Sequence, residues 1–279
     1  MDDVVCGWIP DDHLVPVLSR KNYHRCHCHL PGASPLSRSY PRSDRTDQVG
    51  GAKNEEKAFE CFKLSAEEGN KAALYNLGFS YEKGIATSID LEKAFNYYKE
   101  AANKGYAKAY NALGIFYECG KFVNVDLEKA VDCYKKAADL GNVNAKTNLA
   151  NMYEYGRGVE KDYEKAFNYY KEAADLGNAR AITAIGLFYE AGYFVNKDLS
   201  KALEYYQKAA DMGYEYAQAN LANLYQYGKG VERNLEKAFE YYQKAAEKKL
   251  PRAINALGGY YDNGYIVEKN YEKAFEYYK

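Results

Sequence analysis

The sequence predicts an all-α fold: a right-handed α-solenoid superhelix of stacked helix–turn–helix pairs with a 36-residue period. Three observations carry that expectation. The dipeptide Lys-Ala recurs at 57–58, 93–94, 129–130, 165–166, 201–202, 237–238 and 273–274, always 36 residues apart. Two tyrosine columns keep the same spacing. One is Tyr98, Tyr134, Tyr170, Tyr206, Tyr242 and Tyr278, with Phe62 in the first copy; the other is Tyr81, Tyr117, Tyr153, Tyr189, Tyr225 and Tyr261. A glycine column, Gly84, Gly120, Gly156, Gly192, Gly228 and Gly264, holds the same register. Self-similarity at a fixed period of about 20 to 50 residues marks an array in which each unit buries its apolar stripe against its neighbours.

Residues 1–52 stand outside the period. They hold five of the six prolines, all four histidines and the only tryptophan. Such a segment buries too little apolar surface to offset its ordering, so it is expected to be disordered. Its run His24-Arg25-Cys26-His27-Cys28-His29 carries imidazole and thiolate, the usual zinc ligands. The two cysteines are one residue apart and no second pair follows, which favours an unstructured tail over a metal site.

The array is expected over residues 53–279, about six and a half units. In residues 143–178 the first helix runs from about Asn144 to Tyr155, with Ala145, Leu149, Met152 and Tyr153 forming one apolar stripe. Gly156-Arg157-Gly158 then reverses the chain, because glycine adopts positive φ without steric cost. The second helix starts at Asp162, whose carboxylate can cap the first-turn amides. Its counterparts are Asn54, Asp90, Asp126, Asp198, Asn234 and Asn270. Ala166, Phe167, Tyr170, Ala173 and Ala174 make its buried face, and Gly177 ends it, like Gly69, Gly105, Gly141 and Gly213. Lys249 breaks that last column, and Pro251 is expected to supply the stop there. Ala73, Ala109, Ala145, Ala181, Ala217 and Ala253 allow close helix approach, as do Gly78, Gly114, Gly186 and Gly258. Glycine inside a helix costs about 1 kcal/mol against alanine, so its recurrence implies a packing reason. The second loop glycine is replaced by Phe122, Phe194 and Ile266 in alternate copies, a 72-residue superperiod. The final pair stops at Lys279, one turn short by register and without a polar cap. That leaves two expectations: a fragment, or an open end that docks on a partner or a second copy.

These columns resemble a known family. The pattern Ala-x-x-x-Leu-(Gly/Ala)-x-x-Tyr-x-x-Gly-x-Gly-Val, followed by Asp-x-x-Lys-Ala-x-x-Tyr-Tyr-x-Lys-Ala-Ala-x-x-Gly, is similar to the Sel-one-like repeat. That family is a close relative of the tetratricopeptide repeat. The resemblance covers residues 54–279. It implies a non-catalytic scaffold or adaptor that binds a partner peptide or domain on the concave face, which the first helices line. By correspondence with the tetratricopeptide relatives, the contacting residues would be Asn76, Asn148 and Asn220 before the Leu-Gly column, Asn151 and Asn223 after it, and Tyr155, Tyr227 and Lys83 one turn further on. An Asn amide offers both donor and acceptor to a peptide backbone, and Tyr adds rigid contact area. The competing reading is that these asparagines cap or bridge neighbouring repeats. A cysteine-rich, secreted branch of the family carries a disulfide in each repeat; this chain has a single possible pair among its repeats.

Composition narrows the function classes. A net charge of -1 with 28% charged residues gives no basic excess for nucleic acid. No apolar stretch approaches the roughly 20 residues needed to span a bilayer. The acidic N-terminus Met1-Asp2-Asp3 lacks the basic flank and apolar core of a secretory signal, and six scattered cysteines argue against a disulfide framework. A cytoplasmic protein is the expectation. No His follows residue 29, so Cys119 and Cys133 have no imidazole to activate them and read as small packing residues. The density of Tyr, 31 residues, implies half-buried rings whose hydroxyls reach water or backbone. Neither a phosphate loop nor a dinucleotide fingerprint is present, and no enzyme activity, metal or cofactor is expected. The alternatives are a regulatory portion of a larger enzyme or signalling protein, or a small-ligand-binding repeat protein.

Overall fold

A computed structural model describes residues 48–279, with side chains from residue 54 onward. The expected disorder of the N-terminal segment, apart from its last residues, and the His24–His29 run lie outside the described residues. Within them there are thirteen helices and no strand. The chain forms two compact units, divided between Asp126 and Leu127. The first contains α1 (Gln48–Glu67), α2 (Lys71–Lys83), α3 (Leu91–Asn103) and α4 (Ala107–Cys119). The second contains α5 (Leu127–Asp139), α6 (Val143–Tyr155), α7 (Tyr163–Asp175), α8 (Ala179–Ala191) and α9 (Leu199–Asp211). It continues with α10 (Glu215–Tyr227), α11 (Leu235–Glu247), α12 (Pro251–Asn263) and α13 (Tyr271–Tyr278). Inside each unit every helix packs on the helix before it and the helix after it. This is the all-α repeat fold expected from the period.

The interhelix loop is held at both ends. Each first helix closes on a left-handed glycine, as at Gly156 (φ 65°) and Gly192 (φ 77°). The capping residue of the next helix then returns its own N–H to the preceding tyrosine carbonyl: Asp162 to Tyr153, Asp198 to Tyr189 and Asn234 to Tyr225, each at 2.9 Å. Its side chain accepts from the third amide of the new helix, as Asp162 does from Lys165 at 2.9 Å. Two expectations need correction. Asn54 is not a cap, because α1 already begins at Gln48 and carries Asn54 in its interior. No first helix precedes it among the described residues to supply the carbonyl that turns the chain elsewhere. Nor does Pro251 supply the stop after α11. Lys249 itself takes the left-handed conformation (φ 60°), its N–H bonding to Ala246 at 2.8 Å, and Pro251 opens α12. Proline suits a first helical position because the N–H it lacks would have no partner there.

The 72-residue alternation has a packing cause. Ala86, Phe122, Phe194 and Ile266 all take positive φ (51° to 65°), the conformation that Gly158 and Gly230 take elsewhere. A methyl on Gly158 would lie 2.3 Å from the Leu127 carbonyl oxygen, and one on Gly230 would lie 2.4 Å from Leu199 Cβ. Glycine stands where the loop presses on the start of the previous repeat's second helix. In the other copies a ring takes that place and packs on the second helix of the previous repeat: Phe122 lies 5.8 Å from Phe95, and Phe194 lies 5.7 Å from Phe167.

The core is built of alanines and tyrosines. Ala109, Ala145, Ala181, Ala217 and Ala253 are fully buried, and so are Tyr98, Tyr134 and Tyr206. The helical glycines make room for those rings. A methyl on Gly78 would meet the Tyr98 ring at 2.7 Å, and one on Gly186 the Tyr206 ring at 2.6 Å. Cys119 and Cys133 are half-buried rather than enclosed.

Candidate functional site

Residues three and four apart on a helix share one face. In the second unit this places Leu187, Glu190 and Ala191 of α8 beside Ala219, Asn220 and Asn223 of α10, with Arg252 at the start of α12. Together with Lys197, Leu199, Lys229 and Tyr242 they line a recess of about 720 Å³ along successive first helices. Its lining combines apolar side chains (Leu187, Ala191, Leu199, Ala219) with amides and charges.

The lining is cross-braced. Arg252 Nη2 donates to Asn220 Oδ1 at 2.9 Å and to the Tyr216 carbonyl at 2.6 Å, and its guanidinium lies 5.4 Å from the Tyr216 ring centroid. Desolvation lowers the Arg252 pKa from its usual value. Lys229 Nζ donates to Asn223 Oδ1 at 3.3 Å and lies 3.7 Å from Glu190 Oε1. Beneath, the Tyr206 hydroxyl donates to Glu190 Oε2 at 2.7 Å. That contact recurs: Tyr98 donates to Glu82 at 2.8 Å, and Tyr170 to Glu154 at 2.7 Å. The hydroxyls of Tyr98, Tyr170 and Tyr206 therefore end on carboxylates. Desolvation first, and the paired carboxylate second, push Tyr98, Tyr170 and Tyr206 well above the usual phenol range.

The eight residues singled out from sequence divide. Asn220 and Asn223 line the recess. Tyr227, on the same helix, is 61% exposed, with Lys229 Nζ 5.7 Å from its ring centroid. Asn148, Asn151 and Tyr155 lie on α6, outside the recess. Asn148 Oδ1 accepts from Arg180 Nη1 at 2.9 Å, the bridging role weighed against binding. The Tyr155 ring is 61% exposed, while desolvation and the Glu154 carboxylate push its hydroxyl up to about 12. Asn76 and Lys83 belong to the first unit, where Asn76 is half-buried and Lys83 Nζ lies 3.6 Å from Glu82 Oε1. Sequence reasoning missed Glu190, Lys197, Lys229 and Arg252. A signal existed: Asn76, Asn148 and Asn220 are each followed 32 residues later by a basic residue, Lys108, Arg180 and Arg252.

No group of three or more His, Cys, Asp or Glu among the described residues is disposed to hold a metal ion. No helix among them is long and apolar enough to cross a membrane. The Sel1 repeat family model matches residues 47–70, 71–106, 107–142, 143–178, 179–214, 215–250 and 251–279 without a gap. The chain belongs to the Sel1 repeat family. A Sel1 repeat protein from Oxalobacter formigenes is 33% identical, with a TM-score of 0.76 over 82% of this chain and 92% of that one. A protective antigen of uropathogenic Escherichia coli strains is 31% identical, with a TM-score of 0.66 over 81% of this chain and 48% of that one. An immunity protein from Pseudomonas aeruginosa is 26% identical, with a TM-score of 0.53 over 75% of this chain and 80% of that one. No curated protein matches the sequence significantly. Sel1 repeat proteins are generally protein-interaction scaffolds and typically non-catalytic.

Proposed function

We propose that this Sel1 repeat chain is a non-catalytic adaptor whose recess along α8, α10 and α12 holds an extended segment of a partner protein. The observation that carries this reading is a lining of apolar side chains and amides on successive first helices, a combination that suits both the side chains and the backbone of a peptide. Asn220 spends its Oδ1 on Arg252, which leaves its Nδ2 donors for a ligand carbonyl. The exposed rings of Tyr155 and Tyr227 add rigid contact area at low entropic cost. The relatives include a protective antigen and an immunity protein, neither named for a catalysed reaction. A cytoplasmic site of action belongs to the same reading. So does self-association through α13.

A displayed library of extended peptides, selected on the full chain, tests the groove. The same library is passed over a variant with Asn151, Asn223, Tyr155 and Tyr227 changed to Ala, after circular dichroism shows that it folds. Peptides held by the parent and lost from the variant support the adaptor reading. Equal retention would move recognition to another face.

A further inference from the structure

Arg252 is an exposed cation on the lining of the recess, and no acidic side chain among the described residues pairs with it. Its only polar contacts there are neutral oxygens, Asn220 Oδ1 and the Tyr216 carbonyl, and both are taken by Nη2. A guanidinium has five N–H donors in a planar fork, so the donors on Nε and Nη1 are left over from these two bonds. Lys197, also on the lining, is exposed and has no ion pair among the described residues. The one acidic group of the lining, Glu190, is already occupied by Tyr206 and Lys229. The lining thus carries three cations and one engaged carboxylate. The arrangement recurs 72 residues earlier: Arg180 Nη1 rests on Asn148 Oδ1 at 2.9 Å, again without an acidic partner among the described residues. In both places the asparagine holds the guanidinium in one orientation and leaves its charge uncompensated.

We infer that the groove selects an acidic peptide segment, with Arg252 as the principal carboxylate-binding residue and Arg180, outside the recess and a superperiod away, as a second one. The inference rests on the peptide-binding reading above and names the chemistry that the peptide must have. A guanidinium gains most from an anion that approaches its fork in plane, because two parallel N–H···O bonds then form with a carboxylate.

The probe is a pair of degenerate extended-peptide libraries, identical except that a fixed pair of positions carries Glu in one and Gln in the other. Each is labelled and titrated against the full chain by fluorescence polarisation. The Glu library is expected to bind about tenfold more tightly, since a charge-assisted hydrogen bond contributes more than a neutral one. That preference should shrink in high salt. It should vanish in Arg252→Gln, return in part in Arg252→Lys, and fall by a smaller factor in Arg180→Gln. The three variants keep the core alanines and tyrosines, and circular dichroism checks their fold. Equal binding of the two libraries by the parent chain would overturn the acidic preference and leave the groove reading intact. Failure of both libraries to bind would overturn the groove reading, and this inference with it.

Discussion

At the residue scale, the molecule is governed by where a single side chain can or cannot fit. Gly158 has a positive φ and no room for a methyl beside the Leu127 carbonyl. Gly158→Ala is therefore expected to destabilise the chain by roughly 1–3 kcal/mol, from backbone strain and overpacking together. Urea denaturation measures it, and a change within about 0.5 kcal/mol would show that the loop relaxes freely. The buried tyrosines set a second dependence. Tyr98, Tyr170 and Tyr206 titrate above the ordinary value of 10.0 in the folded chain. A group whose pKa is raised by folding contributes stability that is complete below its unfolded pKa and is lost as pH rises through the folded value. Stability should fall steadily from about pH 10 upward, with tyrosinate absorbance appearing together with loss of helix. Tyrosinate absorbance that rose fully while helix content stayed constant would contradict that coupling. The tyrosine columns were legible in the sequence, because each ring keeps the 36-residue register. Their glutamate partners were not recognised, because the carboxylate lies 16 residues upstream on the other helix and Glu is common on every exposed face.

At the element scale, the repeated unit is a helix pair whose turn is fixed by one backbone bond and one cap. Asn234 accepts from the Lys237 amide at 2.8 Å while its own N–H reaches the Tyr225 carbonyl at 2.9 Å. Asn54 occupies the same column but lies inside α1. Asn234→Ala is expected to cost about 1 kcal/mol, whereas Asn54→Ala should stay within about 0.5 kcal/mol. Thermal unfolding of the two variants compares them directly, and equal losses would mean that the column, not the cap, carries the effect. Helix lengths, caps and left-handed turns were readable from Gly, Asp and Asn at fixed spacing. Lys249 was not, because a left-handed lysine has no sequence mark beyond its place in a glycine column.

At the scale of the whole molecule, residue-level bracing and element-level repetition combine into a recess along the first helices of the Leu127–Lys279 unit. Asn220 and Asn223 were legible as candidates because the family resemblance points to their positions. The cations around them were not. Arg252 and Lys229 reach the groove from the next repeat and from a loop, and a single repeat does not show which neighbours a side chain will meet. The central claim is that this recess holds an extended partner segment, and hydrogen exchange of the full chain with and without a selected peptide tests it most directly. The account predicts slowed exchange in α8, α10 and the first turn of α12, with α9 and α11 unchanged beyond their N-terminal turns. Protection confined to α9, α11 or α13, with the first helices unaffected, would contradict it.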